Sequence, residues 1–128
     1  MVAIAAGTTA PSFAQQESAR RYMAEAMRAR KDAIAAGDQP YGAVLVNDNR
    51  IIGRGPSRVV VDRDNAAHAE RIALRNARIR ESAEALVGAT LYSTSIPCAA
   101  CQQAAAQAGV AKMIYGEALR DGGAPRRI

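Results

Sequence analysis

His68 is the only histidine of the chain, and a carboxylate, Glu70, follows it two residues later in the stretch AAHAERIAL. The only two cysteines, Cys98 and Cys101, stand three apart in PCAAC. Alone, a single histidine reads as an ordinary surface or core residue, and a lone C-x-x-C also fits a redox pair. Together, one imidazole and two thiolates make a three-ligand zinc set. Three protein ligands leave the fourth position to water, the arrangement of a catalytic site, whereas a structural site closes with a fourth side chain. There is no third cysteine or second histidine to close it. Zinc lowers the pKa of bound water toward neutrality. A carboxylate two residues beyond a ligand reaches that water rather than the ion, and can serve as general acid and base.

For these side chains to converge, the elements carrying them must start at one edge of a sheet. SFAQQESARRYMAEAMRARKDAIAAGD reads as a first helix, with Ser12 as N-cap, Gln15 as its capping-box partner and Gly37 beyond its end. Phe13, Tyr22, Met23, Ala26, Met27 and Ile34 fall on one broad apolar face. YGAVLVNDNRIIGRG reads as two strands joined at Asn47-Asp48-Asn49, followed by a β-branched patch from Val59 to Val61. Asp64-Asn65 signals a second helix over about 66–80, with Asp64 as its cap and Ile72, Leu74 and Ile79 among its apolar residues. ATLYSTS is a third strand. Pro97 opens a third helix that ends before Gly109, and VAKMIYG is a fourth strand.

The order is therefore α-β-β-α-β-α-β. A helix between consecutive strands implies parallel pairing of the later strands, while the opening hairpin is antiparallel. The result is an α/β fold with a mixed sheet and helices on both faces. In a parallel crossover, successive helix starts lie side by side above the carboxyl ends of the strands. His68 and the Cys98/Cys101 pair then share one edge, where a helix N-terminus also favours the thiolate.

The chain has 128 residues, enough for one domain with a real core. Hydrophobic residues make up 49% and aromatics 4%, so the core is built from small and branched aliphatics. The net charge of +5 permits an anionic partner without demanding one, because Arg20, Arg21, Arg28, Arg30, Arg71, Arg75, Arg78 and Arg80 also fit solvated helix faces. No apolar run approaches the roughly 20 residues of a membrane span. The start, MVAIAAGTTAPS, lacks the basic region and apolar length of a signal peptide. The expectation is a cytoplasmic protein whose cysteines form no structural disulfide.

HAE at 68–70 and PCAAC at 97–101 match the H-x-E…P-C-x-x-C signature of the zinc-dependent cytidine and nucleobase deaminases. With YGAVLVNDNRIIGRG, TLYSTSIPC and AKMIYG in the same order, residues 12–116 resemble the branch holding guanine deaminases, fungal-type cytosine deaminases and tRNA adenosine deaminases. The resemblance implies a three-layer α-β-α sandwich with about five strands, a single deaminase domain over 1–128, and a short tail over 117–128. It implies Zn²⁺ on His68, Cys98 and Cys101, and proton transfer by Glu70. Backbone N–H groups near Ala69 and Cys98 would position the ring. Ser57 falls where the branch commonly has a base-binding asparagine, and Tyr41 where some relatives place a phenylalanine near the pocket. Ile96 replaces a frequent glutamate or serine, which puts guanine in doubt as substrate, and Ala100 replaces a common methionine, leaving a roomier pocket.

The resulting expectation is hydrolytic deamination of a small nucleobase-like substrate of the guanine, cytosine or isocytosine type, by a homodimer or higher homo-oligomer. The second reading is a tRNA or single-strand adenosine deaminase, which needs a basic path to the pocket. The third is a zinc-binding module without turnover, against which the retained Glu70 speaks.

Overall fold

The computed structural model describes residues 10–127, so the reading of the first residues as free of a leader falls outside the described part. The elements are α1 (Phe13–Ala35), β1 (Gly42–Asn47), β2 (Arg50–Pro56), α2 (Ala69–Arg80), β3 (Thr90–Ser93), α3 (Ala99–Ala108), β4 (Lys112–Tyr115) and β5 (Arg120–Gly123), with one short 3₁₀ turn at Glu84–Leu86. The strands form one sheet in the order β2-β1-β3-β4-β5. β3 and β4 pair in parallel across the α3 crossover, and the other three pairs are antiparallel. The mixed five-stranded sheet of the sequence reading is thus present. Its fifth strand lies in what read as a tail.

α1 begins as its sequence requires. The Ser12 side chain accepts from the Gln15 N–H, and the Gln15 side chain accepts from the Ser12 N–H, so two unpaired donors are satisfied reciprocally. α1 covers one face of the sheet through Tyr22, Met23 and Ala26 against Val44, Val46 and Tyr92. Phe13 and Ile34, expected on that face, are exposed, because they lie on the end turns of a helix longer than the strands it crosses.

The other face packs Ala43, Leu45, Leu91 and Met113 against Ala69, Ala73, Ala77 and Ala105. Alanines four apart on α2 meet glycines on β2, and this lets helix and strand backbones approach closely. A Cβ on Gly55 would stand 2.1 Å from the Ala69 carbonyl oxygen, and one on Gly53 would stand 2.3 Å from that of Ala73. A bulge in β2 opposite Leu45/Val46 sends Ile51 toward α1 and Ile52 toward α2, so both isoleucines find a core. Of the apolar residues named on the second helix, Ile72 and Leu74 are buried, and Ile79 projects into solvent in the last turn of α2.

Two helix starts differ from the sequence reading. α2 begins at Ala69 with His68 as N-cap, not near residue 66. The Asp64 carboxylate accepts instead from the Ala66 N–H, closing a turn ahead of the helix. α3 begins at Ala99 with Cys98 as N-cap, which leaves Pro97 just outside its first turn. Gly109 ends α3 at φ 89°, the left-handed conformation glycine adopts without cost. No helix among the described residues is long and apolar enough to cross a membrane.

Candidate active site

Both N-caps that deviate are metal-ligand candidates, and both sit at the carboxyl edge of the sheet. His68 leaves the helix N-terminus without a side-chain cap, since its ring turns to the cysteines instead. Its Nδ1 lies 3.4 Å from Cys101 Sγ and 3.7 Å from Cys98 Sγ, and the two sulfurs are 3.2 Å apart. Tetrahedral zinc with the usual bond lengths holds two sulfurs about 3.8 Å apart and a sulfur about 3.6 Å from a nitrogen. The donor set fits once the sulfurs part by roughly half an ångström. Among the described residues this is the one group of three metal-binding side chains within 4.8 Å.

The chemistry of the donors agrees with their geometry. Cys98 Sγ accepts from the Cys101 N–H at 3.4 Å, inside the first turn of α3, where the helix terminus favours negative charge. Burial, reinforced by the neighbouring Glu70 and Cys98, pushes the Cys101 thiol up. A buried cysteine of this kind becomes a thiolate when a metal supplies the opposing charge.

Glu70 lies in the first turn of α2, only 5% exposed. Burial raises its carboxyl above the ordinary value, opposed by its own N–H, by Ser93 and by His68. The Ser93 hydroxyl donates to Glu70 Oε2 at 3.1 Å. A buried carboxylate beside a metal-binding triad, but outside it, suits a group that exchanges protons.

The remaining candidates are placed as follows. Ala69 is buried in the first turn of α2, with its carbonyl against Gly55. Tyr41 precedes β1 and is half-exposed, and its carbonyl accepts from the Ser57 N–H. Ser57 is buried, and its hydroxyl donates to Asp38 Oδ1 at 2.9 Å. Its proton is therefore committed away from any ring. Ile96 and Ala100 are exposed.

Asp38 was not legible as a site residue. Its Oδ1 also accepts from the Gln39 N–H, and its Oδ2 accepts from the N–H groups of Val60 and Val61, at 2.8–2.9 Å. Burial pushes this carboxyl up, but the Val61 and Gln39 N–H groups, the Ser57 hydroxyl and the Val60 N–H outweigh it and hold it below the ordinary value. One carboxylate thus ties the end of β2 and the loop leading to His68 to the end of α1. The turn-forming stretch AGDQP was the available signal.

Comparison with known proteins agrees with this geometry. Residues 16–117 match the cytidine and deoxycytidylate deaminase zinc-binding region, and the chain belongs to that family, with the family's zinc-binding His/Cys/Cys site. It is 38% identical over 103 residues to a tRNA-specific adenosine deaminase of Haemophilus influenzae, covering 80% of this chain and 60% of that protein. It is 39% identical over 85 residues to a tRNA-specific adenosine deaminase of Buchnera aphidicola subsp. Schizaphis graminum, covering 66% and 56%. Among solved structures, one from studies of A-to-I editing at the wobble position of transfer RNA superposes with a TM-score of 0.71 at 36% identity, covering 75% of this chain and 70% of that one. The guanine deaminase of Bacillus subtilis superposes with a TM-score of 0.67 at 30% identity, covering 75% and 62%. The chain spans less than two thirds of the length of the two curated relatives described.

Proposed function

We propose that the protein is a zinc-dependent hydrolytic deaminase acting on adenosine in a single-stranded region of RNA, with a transfer RNA loop as the leading candidate. The observation that carries the deaminase reading is the His68, Cys98 and Cys101 triad with Glu70 buried directly behind it. Bound zinc would supply an activated water near neutral pH. Glu70 takes a proton from the attacking water and delivers it to the leaving nitrogen, so the bond between the ring carbon and its exocyclic amino group is replaced by C=O and ammonia departs. His68 presents Nδ1 to the metal position because α2 starts with its backbone there.

This order of substrates reverses the expectation drawn from the sequence, which put a free base first. The named relatives at 38–39% identity favour RNA. Two features of the chain support it. Tyr41 is half-exposed and Val60, Val61 and Ile96 are exposed, so these apolar side chains are available to a base still attached to a polymer. The C-terminal segment also runs beside α3. The Arg126 N–H donates to Gln102 Oε1, and Gln102 Nε2 donates to the Pro97 carbonyl. Exposed Arg126 and Arg127 therefore lie near the helix that carries the cysteines, where phosphates would pass. A free-base substrate is the second reading, favoured by the guanine deaminase superposition.

The test is ammonia release by zinc-loaded protein from an anticodon hairpin containing adenosine, alongside free guanine, cytosine, isocytosine and adenine. Turnover of the hairpin alone supports the RNA reading. Turnover of a free base alone replaces it with the second.

A further inference from the structure

Glu70 is a flexible side chain asked to keep one position beside three metal-binding atoms without joining them. We infer that Ser93 is a positioning residue for this carboxylate, fixing Oε2 so that Oε1 is left to exchange protons; this rests on the deaminase reading above. Ser93 is the last residue of β3 and pairs with Ala43 across the sheet. Leu91, two residues earlier, faces α2, and strand alternation turns Ser93 the same way. Ser93 is 1% exposed, and its hydroxyl donates to Glu70 Oε2 at 3.1 Å. The Ser95 N–H approaches Ser93 Oγ at 3.5 Å, so this oxygen accepts from Ser95 while its proton goes to Glu70.

No other side chain among the described residues donates to Glu70. At 5% exposure, solvent offers the carboxylate little else, so its orientation depends on this one hydroxyl and on its own N–H. Without the hydroxyl, the carboxylate has a free rotamer choice that includes turning toward the metal position. A hydrogen bond to a charged acceptor is strong enough that its loss is expected to lower kcat about 10- to 100-fold. KM should hardly change, because Ser93 is buried and its hydroxyl is donated to Glu70.

The experiment compares wild type with Ser93→Ala and Ser93→Thr, measuring kcat, KM and zinc content, together with crystal structures of wild type and Ser93→Ala. The expected result is a fall in kcat for Ser93→Ala at unchanged KM and one zinc per chain, restoration by Ser93→Thr, and a Glu70 carboxylate that shifts or splits between positions. A Glu70 carboxylate that stays in one unchanged position in Ser93→Ala overturns the inference. So does a kcat loss that Ser93→Thr shares in full or that follows zinc loss. If the wild type turns over none of the substrates, the deaminase reading fails, and the two crystal structures still decide whether Ser93 sets the position of Glu70.

Discussion

Replacing Gly55 by alanine separates the cost of crowding the fold from the cost of displacing the chemistry. The new Cβ would meet the Ala69 carbonyl oxygen at 2.1 Å and the Ala73 nitrogen at 2.5 Å. Both are helix backbone and cannot rotate away, so α2 must retreat by about 1 Å to restore an ordinary contact. Overpacking of this kind costs about 1–3 kcal/mol of stability. Ala69 sits between His68 and Glu70, so the retreat displaces a metal ligand and the proton carrier together, and a misplacement near 1 Å costs about 10²-fold in rate. Gly42→Ala is the control. Its Cβ would meet the Ala26 carbonyl oxygen at 2.2 Å and the Arg30 nitrogen at 2.4 Å, an equal crowding against α1 on the opposite face. Urea unfolding should show similar destabilisation of the two variants. Specific activity, measured where both remain folded, should fall about 10²-fold for Gly55→Ala and by less than threefold for Gly42→Ala. Equal losses of activity, or an active Gly55→Ala, would refute the argument that close packing of β2 on α2 sets the site.

Asp38→Asn should destabilise the protein by about 1–2 kcal/mol at pH 7, since an amide cannot accept for the Ser57 hydroxyl and three N–H groups alike. The Asp38 carboxyl is held below its ordinary value, so its contribution is complete above pH 4 and lost as pH falls through the lowered value. The gap in urea midpoint between wild type and Asp38→Asn should therefore narrow below pH 4. His68→Ala, Cys98→Ser and Cys101→Ser should each lower zinc from one per chain toward zero by elemental analysis, and zinc should restore activity to chelated wild type only. Arg126→Ala combined with Arg127→Ala should weaken RNA binding and flatten its salt dependence by up to two charges, read by binding titrations at several salt concentrations.

The metal set was legible because its evidence is local: residue type and spacing at two helix starts. The capping box at Ser12 and the glycine stop at Gly109 were legible for the same reason. The start of α2 was misplaced because Asp64 closes a turn with the chemistry an N-cap uses. The true cap, His68, gives no capping signal because its ring serves the cysteines. β5 was read as tail because RDGG has no strand propensity and forms only by pairing along the edge of β4. Ser93 looked like one more strand residue, and Ser57 like a ring contact. Only the tertiary fold shows their hydroxyls donated to Glu70 and Asp38.

The central claim is that Glu70 carries protons beside a zinc site that it does not help to build. Its most direct test is Glu70→Gln, assayed together with wild type for bound zinc and for ammonia released from the adenosine-containing hairpin. The account predicts one zinc per chain in both proteins and a loss of turnover of about 10²–10⁴-fold in the variant. A variant that keeps wild-type turnover, or that loses its zinc along with its activity, would contradict it.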